Sequence, residues 1–254
     1  MEITLSLPML LFLMLMTGFA GFVDSAAGGG GLISGVAFAI KSLRPDVKVY
    51  GVQAARASSM FDSIHAHEKL TLESVSTFAD GIAVKHPGDI TFSMVEQYVD
   101  EVVTVTEDEI AAAILALIEK QKLIAEGAGA VSVAAAMFDK VDIKGKKAVC
   151  LVSGGNIDVN ILSRVITRGL VMSGRNTNLM IALEDKPGQL QGVSEIISRC
   201  GGNVVNVHYD HADTSMAITS CFIKLGLETR DMAQIQHIKD ELTKAGFILV
   251  NERA

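Results

Sequence analysis

Hydrophobic residues recur along most of the chain with two alternating spacings, one typical of buried strands and one of amphipathic helices. Between residues 28 and 172 the first spacing predicts strands at residues 47–54, 101–105 and 147–152. The second predicts helices at residues 32–43, 58–67, 90–98, 110–123 and 131–138. Strands that alternate with helices predict an α/β fold with an open, mainly parallel sheet, whose ligands bind at the carboxyl ends of the strands.

The pattern changes after a polar, glycine-containing stretch at residues 168–178, which predicts a linker. Beyond it, the residues predict strands at 179–183, 204–209, 217–225 and 247–250, with helices at 190–200 and 232–245. The resulting order β-α-β-β-α-β is the split, ferredoxin-like arrangement. We therefore expect two folded domains, at residues 28–172 and 176–254, preceded by an apolar segment at residues 1–27.

The apolar segment has no charged side chain between residues 3 and 23 and is flanked by Glu2 and Asp24. It is long enough to span a bilayer, which needs about 20 apolar residues. A buried core helix is the alternative, and Pro8 argues against one uninterrupted span. A signal peptide is disfavoured because the residues before the segment carry no positive charge. Membrane association through residues 3–23 and a core helix both stay open at this point.

Composition excludes several classes of function. The chain of 254 residues has a formal net charge of −7 and a pI near 5.4, so it offers no basic face for nucleic acid. Cys150, Cys200 and Cys221 are an odd number of cysteines without a C-x-x-C spacing, which predicts free thiols and no zinc site. We expect a reducing, cytoplasmic location, apart from any membrane association of residues 3–23.

Four consecutive glycines, Gly28, Gly29, Gly30 and Gly31, directly precede the first predicted helix. Glycines allow successive backbone N–H groups to turn toward one point, and the helix that follows adds the positive end of its dipole. A flexible linker is the alternative interpretation of a glycine run. The strong helical pattern immediately after it favours a phosphate-binding loop.

Three further short motifs stand beside predicted elements. The sequence TEDE at 106–109 is a capping box and predicts a helix start. The small residues of EGAGA at 126–130 predict that two helices meet closely there. SGGN at 153–156 follows the third predicted strand and so lies at a carboxyl end of the sheet. From the residues alone, Ser153 is an ordinary turn residue and Glu126 an ordinary capping carboxylate.

Several stretches are specific enough to indicate a family. They are GGGGLISGVAFAIKSL, VKVYGVQAA, ADGIAVK, VTEDEIAAAILALIEKQKLIAEGAGAVSVAAA and CLVSGGNIDVNILSRVI. Over residues 28–175 the chain resembles the carboxyl-terminal part of threonine ammonia-lyases, pyridoxal phosphate enzymes of the tryptophan-synthase-β-like fold (fold type II). The resemblance implies conversion of threonine to 2-oxobutanoate and ammonia by β-elimination, with pyridoxal 5′-phosphate as cofactor.

The resemblance also assigns roles to residues. Ser153, with Gly154 in the same turn, would bind the pyridine nitrogen of the cofactor, and Gly81 and Glu126 would lie beside the ring. A neutral hydroxyl at the ring nitrogen leaves the ring a moderate electron sink, which suits β-elimination. The four residues that would hold the cofactor phosphate are Gly28, Gly29, Gly30 and Gly31.

Related racemases bind a metal with the stretch that corresponds to residues 53–59. In this chain Gln53, Ala57 and Ser59 occupy that stretch, and none of them supplies a carboxylate. We therefore expect no divalent metal.

The second module resembles an ACT domain, a small regulatory fold of amino-acid metabolism, with DKPGQL at 185–190 as its signature turn. This resemblance implies a homo-oligomer formed through the module and an amino acid as regulatory ligand. A purely regulatory, amino-acid-binding function is therefore an alternative to catalysis. The residues near which that ligand would bind are Pro187, Gly188, Gln189, Leu190 and Asn203.

Two departures from the lyase pattern are visible. The family's Schiff-base lysine lies in a Ser-x-Lys motif upstream of the glycine loop, together with a small domain, and this sequence contains neither. Without that lysine, elimination lacks its covalent anchor and its base, so we expect an incomplete sheet, no catalytic residue, no covalent cofactor and no activity by the chain alone. Residues 1–34 instead resemble the first membrane segment of sulfite exporter-like transporters. The sequence therefore reads as two families joined at GGGGLIS, and a membrane-tethered fragment is a further alternative.

Overall fold

The computed structural model describes residues 30–210 and 219–250 of the chain. The chain divides into two compact units, Met1–Val165 and Ile166–Ala254. Within the described ranges, every helix is too short or too polar to cross a bilayer. The apolar segment predicted at residues 3–23 lies outside those ranges, as do Gly28 and Gly29.

The first unit contains two parallel strands and the helices around them. Its described helices are α1 (Gly31–Leu43), α2 (Ser59–Ala66), α3 (Asp89–Tyr98), α4 (Glu107–Ala116), α5 (Gly127–Met137) and the first part of α6 (Val159–Met172). Strand β1 (Tyr50–Ala54) pairs in parallel with β2 (Glu101–Val105), from Tyr50 opposite Glu101 to Ala54 opposite Val105. The predicted alternation of strands and helices up to residue 138 is confirmed.

Both faces of strand β2 are covered by helices. Val103 and Val105 belong to a core cluster that includes residues of α4 and α5. Val102, which points to the other face, packs with Met60 and Val95 from α2 and α3. Burial on both faces is typical of a parallel strand and explains its continuous apolar run.

The capping box predicted before α4 is confirmed. The Glu109 N–H donates to Thr106 Oγ1 at 3.3 Å, and the Thr106 N–H donates to Glu109 Oε2 at 2.7 Å. The helix predicted at 110–123 therefore begins at Glu107, three residues earlier. It continues as a π-helical turn at Leu117–Gln121 and ends at Lys122, which adopts a left-handed conformation with φ 58°.

The strand predicted at residues 147–152 is wrong. This segment is extended but pairs with neither described strand, and Val149 is 97% exposed. It lies beside α5 instead, where Ser132 Oγ donates to the Leu151 carbonyl at 2.8 Å. A parallel strand becomes buried only when neighbouring strands occupy its hydrogen-bonding edges, and the described sheet of this unit has two strands.

The second unit has the predicted order β-α-β-β-α-β. Its elements are β3 (Asn176–Glu184), α7 (Gln189–Arg199), β4 (Asn203–Asp210), β5 (Ser220–Glu228), α8 (Met232–Lys244) and β6 (Ile248–Val250). The strands form an antiparallel sheet in the order β4-β5-β3-β6. This topology is the split β-α-β arrangement that the sequence predicts.

Alternate residues of β3 and β5 form the core of the second unit with the two helices. The buried side chains include Leu179, Ile181, Ile223 and Leu225 from the strands and Ile197, Ile238 and Leu242 from the helices. The linker predicted at 168–178 is wrong over most of its length, because α6 continues to Met172 and β3 begins at Asn176. The divide between the units falls inside α6, so the domain limits at 172 and 176 stay a prediction.

Candidate cofactor site and candidate ligand cleft

Helix α1 begins at a glycine that no other residue could replace without strain. Gly30 is the N-cap residue and has φ 89°, in the left-handed region. A Cβ atom there would lie 3.2 Å from Met60 Cε and 3.3 Å from Thr91 Cβ. The first turn of α1 carries no acidic side chain, so no side-chain charge offsets the positive end of the helix dipole. This arrangement suits an anion.

Two glycines at the start of α5 allow two loops to approach the helix backbone. A Cβ atom on Gly127 would lie 2.8 Å from Ala79 Cα, and one on Gly129 would lie 1.6 Å from the Ser153 carbonyl oxygen. Helices α4 and α5 pack together, as EGAGA predicts, but Gly127 and Gly129 themselves face loops. Those loops carry Gly81 and Ser153, so the start of α5 brings together residues that are distant in sequence.

Glu126 occupies the N-cap position of α5, yet its side chain makes no capping hydrogen bond. Its carboxylate lies against two glycines instead. Cβ atoms built on Gly154 and Gly81 would lie 2.3 Å and 3.5 Å from Glu126 Oε1. The backbone adds a further link, because the Glu126 N–H donates to the Gly154 carbonyl at 3.3 Å. The ordinary capping role expected from the residues alone does not apply to this carboxylate.

Ser153 is half-buried, and its own carbonyl oxygen faces Gly129. Its hydroxyl makes no hydrogen bond to any of residues 30–210 or 219–250. A hydroxyl of this kind can donate to, or accept from, a ligand placed over the start of α5. The structure thus brings together Gly81, Glu126, Ser153 and Gly154. Gly30 contacts different neighbours.

Glu107 supports this region, although its sequence context indicates only a place in the capping box. Its Oε2 accepts a hydrogen bond from the Phe78 N–H at 3.1 Å, which ties the loop that carries Gly81 to the first turn of α4. Its Oε1 is buried and has no hydrogen-bond partner among the described residues. The acidic first turn that follows Thr106 was the only signal for it in the sequence.

The stretch at residues 53–59 uses its polar side chains for internal hydrogen bonds. Gln53 Oε1 accepts from the Phe61 N–H at 2.8 Å, and Ser59 Oγ donates to the Val84 carbonyl at 2.7 Å. Among the described residues, no group of three or more histidine, cysteine, aspartate or glutamate side chains could hold a metal ion. Gln53 and Ser59 therefore act as links between α2 and its surroundings.

A cleft of about 430 Å³ lies at one end of the sheet of the second unit. Its polar lining comes from Glu184, Gln189 and Ser220, and its apolar lining includes Ala182, Leu183, Phe247 and Ile248. Gly188, with φ 92°, is the N-cap of α7 and places Gln189 at this cleft. Lys186 forms an ion pair with Glu184 and lowers the pKa of that carboxyl below its ordinary value.

The predicted ligand residues of the second unit do not all lie together. Gln189 lines the cleft, whereas Leu190 packs against the core cluster. Asn203 pairs with Glu228, which in turn lies opposite Asn176 at the start of β3. The turn at 185–188 follows the other end of β3. Within one copy of the chain, grouping Asn203 with this turn is therefore wrong.

The three cysteines are free thiols, as their odd number predicts. Burial raises the pKa of the Cys150 and Cys221 thiols above its ordinary value. A raised pKa keeps a thiol protonated and unreactive near neutral pH.

Comparison with known proteins supplies the family context for this geometry. Residues 20–154 match the family model described as pyridoxal-phosphate dependent enzyme. The L-threonine ammonia-lyase of Thermotoga maritima is 48% identical over 220 residues, which cover 87% of this chain and 55% of that protein. The L-threonine ammonia-lyase of Geobacter sulfurreducens is 42% identical over 222 residues, with the same coverage of both chains.

A solved structure gives the same picture for part of the chain. The processed form of threonine deaminase isoform 2 from Solanum lycopersicum superposes with a TM-score of 0.51 and 38% identity, over 55% of this chain and 39% of that one. This chain spans about half the length of the curated relatives named above. A match over 220 residues is longer than the first unit, so it includes part of the second.

Pyridoxal phosphate is the cofactor of the matched family. The residues present fit that group, since α1 begins at a left-handed glycine without an acidic first turn and the Ser153 loop lies against the start of α5. The match covers more than half of the chain. This chain therefore belongs to the family of pyridoxal-phosphate dependent enzymes.

Proposed function

We propose that this chain is the part of a threonine ammonia-lyase that holds the cofactor, in an enzyme that converts L-threonine to 2-oxobutanoate and ammonia. The observation that carries the proposal is the convergence of Gly81, Glu126, Ser153 and Gly154 at the start of α5. The 48% identity to the Thermotoga maritima ammonia-lyase supports threonine as the substrate class.

In this proposal, the residues of the chain bind and orient pyridoxal 5′-phosphate. The positive end of α1 at Gly30 and Gly31, together with Gly28 and Gly29, would hold the phosphate. The Ser153 hydroxyl would contact the ring nitrogen, and Glu126 and Gly81 would border the ring. When bound, the cofactor withdraws electrons from the α-carbon of the amino acid and so permits β-elimination. Because Ser153 is neutral, it does not force a positive charge onto the ring nitrogen.

The residues of this chain by themselves are proposed to be inactive. The sequence contains no Ser-x-Lys motif, the context in which the family carries its catalytic lysine. A cradle without that lysine can bind the cofactor but lacks both the nucleophile that attaches it and the base that moves the α-proton.

The first test is binding and turnover by the full chain. Pyridoxal phosphate is added, the absorbance spectrum is recorded before and after borohydride, and lysine adducts are sought by mass spectrometry. The release of 2-oxobutanoate from threonine is then compared with that by the cofactor alone. We expect binding without one preferred lysine adduct and without release above the background rate. Release above background would contradict the proposed inactivity.

A pair of serine variants tests the cofactor site itself. Ser153→Ala removes the open hydroxyl at the start of α5 and should weaken cofactor binding several-fold. Ser93→Ala is the control, because Ser93 is exposed in α3 and its hydroxyl donates only to the Asp89 carbonyl. Equal affinity of both variants for pyridoxal phosphate, or no binding by the unmodified chain, would contradict the site.

A second function is favoured by the cleft of the second unit. We propose that this unit is an ACT-type module that binds an amino acid near the turn at 187–190, in the cleft that Gln189 lines. The split β-α-β topology and the position of Gln189 in the cleft support it. Isothermal titration calorimetry with isoleucine, valine, threonine and serine is the test. Heat of binding from none of these amino acids would contradict the proposal.

The same module is proposed to form a homo-oligomer. Strand β4 is at one end of the sheet, and Val205, Val207 and Tyr209 on it are 56%, 42% and 38% exposed. An edge strand with exposed apolar side chains is a template for pairing with a second copy. Val207→Lys should shift the sedimenting mass toward the monomer. Ile248→Lys, on the opposite edge strand β6, is the control. If Ile248→Lys gives a monomer and Val207→Lys does not, pairing through β4 is contradicted.

A further inference from the structure

The loop that carries Gly81 is fastened on both sides of that glycine. Before it, the Ser76 N–H donates to the Arg56 carbonyl at 3.2 Å, shortly after the end of β1. After it, Ser59 Oγ of α2 donates to the Val84 carbonyl at 2.7 Å. These two hydrogen bonds hold the ends of the loop. The position of its middle, where Gly81 lies, therefore depends on further contacts.

Glu107 contacts the middle of this loop. It is the first residue of α4, and its Oε2 accepts a hydrogen bond from the Phe78 N–H at 3.1 Å. The next residue of the loop, Ala79, is fully buried and lies against the start of α5. A Cβ atom on Gly127 would lie only 2.8 Å from Ala79 Cα. The hydrogen bond from Phe78 therefore fixes the loop at the point where it approaches α5 most closely.

The environment of Glu107 favours a positioning role over a contribution to stability. Its Oε1 is buried without a hydrogen-bond partner among the described residues, and such an oxygen lowers the stability of the folded state. Glu109, two residues later, uses both oxygens. Its Oε2 accepts from the Thr106 N–H, and its Oε1 forms an ion pair with Lys140 at 2.8 Å. Polar groups that are buried at a cost to stability are typical of functional regions.

The position of the loop matters because Gly81 lies in a narrow space. A Cβ atom on Gly81 would lie 3.0 Å from Ala128 Cβ and 3.5 Å from Glu126 Oε1. A shift of the loop toward α5 would bring backbone atoms against that helix. A shift in the other direction would widen the space that Gly81 borders in the proposed cofactor site.

We propose that Glu107 is a positioning residue for the cofactor ring, acting through the Phe78 peptide group and Gly81. It holds the loop at the distance from α5 at which Gly81 borders the ring. What this role requires is a hydrogen-bond acceptor in the first turn of α4, and a negative charge is not needed. The inference rests on the proposed cofactor site at the start of α5. It adds a residue that does not itself contact the cofactor.

The test compares four variants with the full, unmodified chain. Glu107→Ala and Glu107→Asp remove the acceptor or shorten its side chain, whereas Glu107→Gln keeps an oxygen acceptor without the charge. Glu109→Ala is the matched control, because it removes a carboxylate from the same helical turn that bonds to other residues. Dissociation constants for pyridoxamine 5′-phosphate, which has no aldehyde to react with lysines, are measured by calorimetry. Thermal unfolding and amide hydrogen exchange of residues 76–82 are recorded for every variant.

We expect Glu107→Ala and Glu107→Asp to weaken binding about 5- to 10-fold, the size of one lost hydrogen bond. Exchange at residues 76–82 should become faster in both. Glu107→Gln should restore the affinity of the unmodified chain to within about 2-fold and keep the loop protected. Glu109→Ala should lower the unfolding temperature but change the affinity by less than about 2-fold.

The contradicting outcomes separate this inference from the proposed function. If the unmodified chain binds the ligand and Glu107→Ala binds it equally well, the role of Glu107 is wrong and the cofactor site stands. If Glu107→Ala and Glu109→Ala weaken binding equally, Glu107 is merely structural. Failure of Glu107→Gln to restore binding would contradict the requirement for an acceptor alone. If the unmodified chain does not bind the ligand, the cofactor site fails and the inference fails with it. Should Glu107→Ala not fold, the comparison of Glu107→Asp with Glu107→Gln decides.

Discussion

The two units of the chain differ in how their strands are paired. In the second unit, each central strand has a neighbour on both sides, and its alternate apolar residues meet two helices. In the first unit, the described sheet is a single parallel pair, and the apolar segment at 147–152 lies exposed beside α5. Apolar segments are thus buried in the sheet of one unit and exposed in the other.

An apolar segment therefore forms a buried strand only when neighbouring strands are present to pair with it. The four strands of the second unit all come from residues 176–250, so the unit contains its own partners, even though Met180 pairs with a residue as distant as Val250. In the first unit, the described residues supply each of the two strands with one partner only. Variants in both units test this contrast, beginning in the core of the second unit.

The largest effect is expected in the core of the second unit. Ile181 is fully buried at the centre of β3, opposite Ile223 and Leu249. Ile181→Ala should lower the free energy of unfolding of this unit by about 2 to 5 kcal/mol, because it removes apolar contacts and leaves a cavity. Amide hydrogen exchange of peptides from β3 and β5 measures it. Unchanged exchange there, or equal acceleration in β2 and α4, would contradict the independence of the units.

A pair of glycine variants compares the two units at helical positions. Gly129→Ala in α5 would place a Cβ atom 1.6 Å from the Ser153 carbonyl oxygen, so the loop must move. Gly192→Ala in α7 meets only Phe247 Cζ at 3.4 Å, an ordinary contact. Alanine favours a helix over glycine by about 1 kcal/mol, whereas overpacking costs about 1 to 3 kcal/mol.

Gly192→Ala should therefore stabilise the second unit slightly, and Gly129→Ala should destabilise the first and weaken cofactor binding. Urea unfolding and calorimetry with pyridoxamine 5′-phosphate measure the two effects. Stabilisation by Gly129→Ala would show that the loop containing Ser153 does not approach α5 as closely as the structure has it.

A smaller effect is expected from pH. Burial raises the pKa of the Asp100 carboxyl, but hydrogen bonds from Lys41 Nζ and the Val49 N–H, both at 2.7 Å, outweigh it and hold that pKa below its ordinary value. A lowered pKa in the folded state stabilises the protein above the ordinary pKa, about pH 4, and this stabilisation is lost as the pH falls through the folded pKa.

Urea unfolding of the unmodified chain and of Asp100→Asn between pH 3 and 6 measures this contribution. The difference in the free energy of unfolding should be largest at pH 6 and shrink below about pH 4. Asp46→Asn is the control, because Asp46 pairs with Arg44 two residues away in an exposed position and should change little. A difference that grows as the pH falls would contradict the assigned direction.

The smallest effect is expected at the exposed segment of the first unit. Val149→Ser should change the free energy of unfolding by less than about 0.5 kcal/mol, since Val149 is 97% exposed and loses no packing. Urea unfolding of Val149→Ser and of Ile181→Ala measures how much each variant lowers the free energy of unfolding. A loss above about 1 kcal/mol would mean that residues 147–152 form a buried strand in solution, as their apolar run predicts.

Local patterns predicted most elements of both units. Strand β2 begins and ends at the predicted residues. Each of the helices α2, α3, α7 and α8 begins and ends within one or two residues of its own predicted limits. The capping box before α4 could be predicted from the sequence because its two hydrogen bonds join residues three positions apart. The sequence pattern does not predict helix α6, because the glycine and polar residues at its carboxyl end are typical of a linker.

Local sequence patterns predict only part of the candidate site. The glycine loop carries its own signal, because a glycine run before a helix has a local physical meaning. The association of Gly81, Glu126 and Ser153 rested on resemblance, since no local pattern relates residues so far apart. The support from Glu107 was not predicted, because it consists of a hydrogen bond that only the folded backbone brings into range.

The sequence by itself determined the order of helices and strands, the split β-α-β topology of the second unit and the glycine start of α1. These follow from periodicity, capping and backbone freedom, which act over a few residues. Tertiary contacts alone leave residues 147–152 without a partner among the described strands, place Asn203 away from the turn at 185–188, and turn Glu126 toward glycines instead of toward its helix. Each of these depends on which distant residues occupy the neighbouring space.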